Sequence, residues 1–250
     1  STDFPAGTTR YTAGWRSVAA SLSDLAAMGA VPTAAVAAYA DEAFLDHELR
    51  AFVDGARAVC EAVGTEYVGG DLDHHSEFTV ATTAVGDVDQ PVFRSGARTD
   101  DRVCVTGTVG RSAAALALFD RGETERANEL FQFTPRIEAG RRVAGTATAM
   151  MDSSDGLARS LHQLAEASDC GFAITRDSVP IDAAVDTVDI DRWEAGVHFG
   201  EDFELVFTIP EAALSAVETD VPITVIGRVT DFEAGVTVDD EPLADRGYTH

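Results

Sequence analysis

Two stretches of this sequence share one pattern. "VCVTGTVGRSAAALALFDRG" (103–122) and "TAMMDSSDGLARSLHQLAEAS" (148–168) each pass from a short apolar run, through a polar turn containing glycine, into apolar residues at helical spacing. In the second, Leu157, Leu161 and Leu164 recur on one helix face, so a helix begins near Gly156. Strand, turn and helix in that order constrain the chain strongly. A helix stripe and a sheet face must each be buried against another layer, which predicts an α/β (α+β) fold.

The remaining elements fit that class. Val18, Leu22, Leu25 and Gly29 share a helical face; Gly29 ends that helix and Pro32 blocks its continuation. A second helix is expected through 41–64. "EYVGGD" and "EFTVATTAVGDV" read as strands, and "FELVFTI", "PITVIGRV" and "GVTVDD" as a βαβ-like tail. The polar stretch "RSGARTDDR" (94–102) is the expected connection between an N-terminal domain of residues 1–93 and a C-terminal domain of residues 94–250.

The charge balance excludes some functions. Asp and Glu number 43 against 18 basic residues, a net charge of −25, and every fixed side-chain cation is an arginine because the sequence contains no lysine. Nucleic-acid affinity comes largely from cationic side chains displacing counterions, so no nucleic-acid partner is expected. An acidic surface suits high ionic strength, where a Debye length of roughly 3 Å at 1 M removes self-repulsion. A salt-adapted cytoplasm is the expected setting. Cys60, Cys104 and Cys170 lack C-x-x-C spacing and are expected to be buried, reduced thiols. The alanine-rich run 31–40 is too short and too weakly apolar to span a membrane, and no signal peptide opens the chain.

Several acids stand out against this background. At 24% charged residues overall, a window the length of 17–40 should hold about six charges, yet it holds only Asp24. A carboxylate on so apolar a helix is expected to be partly buried and to need a partner. Asp152 ends the apolar run "TAMM", whereas Ser154 or Asp155 can be explained as the N-cap of the following helix. Asp71 ends "YVGGD", whose glycines permit either a tight turn or close approach of a ligand. Asp73, His74 and His75 read as a solvated hairpin end, and Glu201, Asp202 and Glu204 as solvated acids ahead of a strand. Singly these are weak signals. Together, with no lysine to pair them, carboxylates at the edges of apolar elements suggest a hard cation such as magnesium bridging to phosphate. A lysine-dependent phosphate loop is ruled out by composition.

"GWRSVAASLSDLAAMGAVP", "YVGGD", "RSGARTDDRVCVTGTVGRSAAALAL", "MDSSDGLARSL", "GEDFELVFT" and "VIGRV", in that order, resemble the thiamine-monophosphate kinases of the aminoimidazole-ribonucleotide synthetase superfamily. The resemblance implies two domains, an N-terminal sheet that forms a barrel-like dimer and a C-terminal mixed sheet flanked by helices. It implies ATP-dependent phosphorylation of thiamine monophosphate to thiamine diphosphate, with magnesium ions. Asp24, Asp71, Asp152 and Asp155 match the family's magnesium ligands, and Asp71, Asp152 and Asp155 are those expected to carry catalysis. Gly70, Asp71, Arg94 and Ser154 match ATP contacts; Glu201, and more softly Tyr248, match substrate contacts. There are departures. The family's early G-D-D-A segment and the D-x-L strand after it would lie before Ser1. Its "GGDTT" is "GGDLD" here, its "GGED" is "FGED" with Phe199 for a glycine, and its "HF" aligns with "DF" at Asp3. The alternatives are a selenophosphate- or aminoimidazole-ribonucleotide-synthetase-like enzyme, or a nucleotide-binding dimer without turnover. A catalytic Cys or Lys near the N-terminus would favour the selenophosphate enzyme, and none is visible.

Overall fold

The computed structural model describes residues 4–247. Its first helix, α1 (Arg10–Ala27), begins well before Ser17, because the Thr9 hydroxyl accepts the Thr12 N–H and satisfies one of the orphan donors of the first turn. Its end follows the sequence pattern: Met28 caps it and Gly29 turns left-handed at φ +71°. The alanine-rich run beyond Pro32 forms a strand, β1 (Val31–Asp41). The helix α2 (Asp46–Ala62) is therefore shorter than the stretch 41–64 suggests.

β1 is the central strand of a three-stranded sheet, with β2 (Glu66–His74) parallel on one side and β3 (Thr79–Asp87) antiparallel on the other. Alanine's helix propensity loses here because β1 is hydrogen-bonded on both edges, and its small side chains let helices lie close; Ala35 and Ala37 are buried. "YVGGD" is strand interior, not a turn. Gly69, at φ +137°, sits beside a bulge, and a Cβ on Gly70 would stand 1.7 Å from the Ala37 carbonyl oxygen. The link from β2 to β3 carries the chain from one sheet edge to the other, so 73–75 is not a hairpin end, and the His74 ring lies 4.7 Å from that of Phe44.

Both helices cover the same face of this sheet. They cross through two glycines: a Cβ on Gly14 would stand 2.0 Å from the Phe52 carbonyl oxygen, and one on Gly55 2.0 Å from that of Tyr11. Among the described residues no helix lies on the other face, and Val36, Ala38, Ala81, Thr83 and Val85 are exposed there.

The second sheet has seven strands. They are β4 (Arg102–Thr106), β5 (Ala149–Asp152), β6 (Gly171–Ile174), β7 (Leu205–Ile209), β8 (Ile223–Thr230), β9 (Val236–Val238) and β10 (Glu241–Pro242), in the order β10-β9-β6-β8-β4-β7-β5. β7 and β8 are both antiparallel to β4, hence parallel to each other, so the expected βαβ-like tail forms around an inserted strand. The short α7 (Glu211–Leu214) lies in their connection. Four longer helices, α3 (Arg111–Asp120), α4 (Thr124–Phe131), α5 (Ile137–Ala144) and α6 (Leu157–Ser168), complete this half. The Leu157, Leu161 and Leu164 stripe packs with Val103, Val105, Phe172 and Val206. The end of α1 enters the other core of this half, where Ala26 and Ala27 cluster with Cys104, Met150 and Phe207. All three cysteines are free and buried. Among the described residues, no helix is long and apolar enough to cross a membrane.

The glycine crossing yields a prediction. Gly14→Ala and Gly55→Ala should each cost about 1–3 kcal/mol through overpacking, although alanine is the better helix former by about 1 kcal/mol. Urea unfolding in high salt measures this, and a rise in stability would show that the two helices separate freely.

Candidate active site

The loop 198–204 is the most highly charged part of the interior. Its acids are not solvated: Glu201 and Asp202 are each 7% exposed and Glu204 1%. Each has its own partner. Glu204 pairs with the Arg136 guanidinium and accepts the Thr106 hydroxyl at 2.6 Å. The Asp202 carboxylate accepts the N–H groups of Gly110 (2.5 Å) and Ser112 (2.9 Å), serving from a distant loop as the cap of α3, whose N-cap Gly110 has no side chain. Burial pushes the Asp202 carboxyl up to about 7, against those two hydrogen bonds.

Glu201 faces Arg16 of α1, with Oε2 2.9 Å from Nη2. Arg16 is 1% exposed; it also donates to the carbonyls of Phe131 and Glu201 and to the Ser112 hydroxyl, and its guanidinium lies 3.7 Å from the Phe131 ring centroid. Glu201 and Phe203 hold positive φ of +64° and +55°. Phe199 has ordinary helical backbone at φ −71°, so its replacement of a glycine is accommodated. Acids before a strand carry no mark of burial in the sequence. A signal was present in Arg16, which sits immediately before the charge-poor window and has no acid near it in the chain.

Asp152 ends β5 and is 5% exposed, with the Ser23 hydroxyl donating to its Oδ2 at 2.7 Å. Burial pushes its carboxyl up to about 6; the Ser23 hydrogen bond opposes this, Asp24 adds to it, and Arg94 opposes it. Asp24 itself is exposed rather than partly buried, yet desolvation by the surrounding protein still raises its pKa, with Arg94 opposing. The capping explanation for Ser154 and Asp155 does not hold. α6 starts from Gly156 at φ +106° and no side chain caps it. Both residues instead line a cavity of about 1340 Å³ bounded by α1 and β3, with Glu201 and Phe203 also on its wall. The Ser154 carbonyl accepts the Glu201 N–H at 2.7 Å and holds the two loops together.

Gly70 and Asp71 lie elsewhere, along a second hollow of about 860 Å³ between β2 and α2. The register pairs Asp71 with Ala38, on the sheet face opposite the helices. The chain thus brings Asp24, Asp152 and Arg94 together, and Ser154, Asp155 and Glu201 together, but not Asp71. Among the described residues, no three His, Cys, Asp or Glu side chains are grouped to hold a metal ion. Tyr248 lies outside the described residues. The donors that do meet fit a hard cation: Asp24 and Asp152 offer only oxygen, each is held above its ordinary pKa by burial, and Arg94 is the cation that opposes both shifts.

The sequence matches the AIR synthase related protein N-terminal domain over residues 1–88 and the corresponding C-terminal domain over 98–239. The chain belongs to the AIR synthase-related family. Among relatives of this AIR synthase-related chain, the thiamine-monophosphate kinase of Halobacterium salinarum is 63% identical, covering 100% of this chain and 87% of the relative. That of Methanospirillum hungatei is 41% identical, covering 99% and 84%. The fold agrees with solved structures. The thiamine-monophosphate kinase of Stenotrophomonas maltophilia superposes with TM-score 0.86 at 32% identity, covering 96% of this chain and 82% of that one. AaThiL complexed with AMPPCP and TMP gives 0.87 at 28% identity, covering 96% and 81%.

The Asp152 site sets a pH dependence. Its folded carboxyl keeps a proton up to about 6, whereas the unfolded one releases it at 3.8. Stability therefore falls as pH rises through that window, by about 3 kcal/mol at most. In chelator, Asp152→Asn should remove this loss at pH 7.5 and be nearly silent below pH 3.8, as read by urea unfolding. Equal effects at both pH values would show that burial of the charge is not the cause.

Proposed function

We propose that this chain transfers the γ-phosphoryl group of ATP to the phosphate of thiamine monophosphate, giving thiamine diphosphate and ADP. The observation that carries this is the likeness, over almost the whole chain, to thiamine-monophosphate kinases, including a structure complexed with AMPPCP and TMP. The cavity chemistry supports it. The acceptor is an ionised phosphate oxygen, so no strong base is needed, and the task is to hold two anions in line. Asp24, Asp152 and Asp155 would hold magnesium; Asp71 lies apart from them in the single chain, and its assignment to magnesium, like that of Gly70 to the nucleotide, rests on the family resemblance alone. When bound, magnesium supplies the charge neutralisation for which this lysine-free chain has no ammonium group. The first turn of α6, which its N-cap Gly156 does not cap with a side chain, favours negative charge beside Asp155. Ser154 and Arg94, with Gly70 and Asp71, serve the nucleotide. Glu201 offers a carboxylate to the cationic thiazolium of the acceptor, and Tyr248 is assigned to the same substrate.

The uncovered face of the three-stranded sheet supports a homodimer, since Val36, Val85 and their small neighbours form an apolar surface that also carries Asp71. We place the domain division at residues 93 and 94, between the two sheets. A charge of −25 with only arginines opposing supports a salt-rich cytoplasm as the working environment.

Asp155→Ser separates ligand from structure. Asp155 does not cap α6, and its charge acts on the partly exposed Arg159. Metal-free stability should therefore change by no more than about 1 kcal/mol. Formation of thiamine diphosphate should fall at least about a hundredfold, on the scale of losing one electrostatic contact to the transition state. Turnover equal to the parent's would overturn the assignment. A parent that binds ATP with Mg²⁺ but leaves thiamine monophosphate unphosphorylated would overturn the function.

A further inference from the structure

α1 holds two carboxylates of the proposed site through two residues on one face: Glu201, on the cavity wall, and Asp152, at the end of β5. Arg16 and Ser23 are seven positions apart, two turns along the helix, which puts them about 10 Å apart on the same side. Arg16 holds the Glu201 carboxylate at 2.9 Å and its carbonyl at 2.7 Å; Ser23 holds the Asp152 carboxylate at 2.7 Å. Glu201 is the acceptor-side carboxylate and Asp152 the metal-side one in the proposed function, on which this inference rests.

Stability alone is a poor reason for this arginine. A buried ion pair often does no better than apolar residues of the same volume, and the rings of Phe131, Phe133 and Phe203 around the guanidinium would pack well on such a residue. Arg16 Nε, moreover, has no hydrogen-bond partner among the described residues. What the guanidinium adds is geometry. Its Nη2 donates to main chain and side chain of Glu201, a residue with φ +64°, while Nη1, the other prong of the planar fork, is fixed on the Phe131 carbonyl. Ser112 reinforces it, donating its hydroxyl to the same Glu201 carbonyl at 2.6 Å. At the other end, the Ser23 hydroxyl occupies one side of the Asp152 carboxylate.

We propose that Arg16 and Ser23 are positioning residues, through which α1 sets the separation between the thiamine-monophosphate side of the site, at Glu201 on the cavity wall, and its metal side, at Asp152. The two sides are then separately adjustable. Arg16 acts on acceptor binding, Ser23 on the metal dependence of nucleotide binding, and neither needs to touch a ligand.

Calorimetry on the full chain in high salt tests this with two titrations, thiamine monophosphate alone and AMPPCP across a Mg²⁺ series. Ser23→Ala should raise the Mg²⁺ midpoint about three- to tenfold, the scale of one lost hydrogen bond, and leave the thiamine-monophosphate Kd within about twofold. Arg16→Lys, which keeps the charge and loses the fork, should raise that Kd about tenfold and leave the Mg²⁺ midpoint within about twofold. Ser112→Ala is the milder acceptor-side variant should Arg16→Lys not fold, with an expected rise of about threefold in the same Kd alone. Variants that lower only the unfolding temperature, or that shift both titrations alike, overturn the positioning roles while the parent's binding of both ligands leaves the proposed function standing. A parent that fails to bind thiamine monophosphate overturns both.

Discussion

Burying Arg16 behind Glu201, which lines the cavity, is the constraint around which the other contacts are arranged. A guanidinium out of water must be paired and hydrogen-bonded, and Arg16 meets that demand with groups distant along the chain: Glu201, the carbonyl of Phe131 and the hydroxyl of Ser112. The helix that shields the three-stranded sheet is thereby anchored to the seven-stranded one. Ser23 and the Ala26–Ala27 end of α1 extend the attachment to β5 and its core. One helix thus belongs to both sheets.

The same requirement explains the loop 198–204. Three acids buried within four residues of chain would repel one another unless each had a separate partner, and each does: Arg16 for Glu201, two backbone N–H groups for Asp202, Arg136 for Glu204. Positive φ at Glu201 and Phe203 is the conformational cost of pointing neighbouring side chains in different directions. Asp152 differs from these. The Ser23 hydroxyl and the Arg94 charge do not offset its burial, Asp24 adds to the shift, and this imbalance is what an electropositive ligand would relieve.

Chain-local chemistry was readable before any coordinates. Glycine and proline around Met28 ended α1, the leucine stripe placed α6, and β-branched runs placed β3, β7 and β8, because these depend on spacing and backbone preference within a few residues. The absence of lysine and the unpaired acids at apolar edges already pointed to a cation, and the order of six motifs pointed to a family. Tertiary structure decided the rest. An alanine-rich run became a central strand because two neighbours hydrogen-bond it and two helices need its small side chains, which no propensity encodes. "GGD" became strand interior because Ala37, more than thirty residues earlier, lies against Gly70. Asp155 was released from capping by the backbone of Gly156, and the acids of the loop 198–204 were buried by partners over sixty residues away. Sequence determined which side chains carry charge and where local elements start and stop. Only the fold decided which charges meet, because pairing in a low-dielectric interior depends on distance through space, and separation along the chain does not report it.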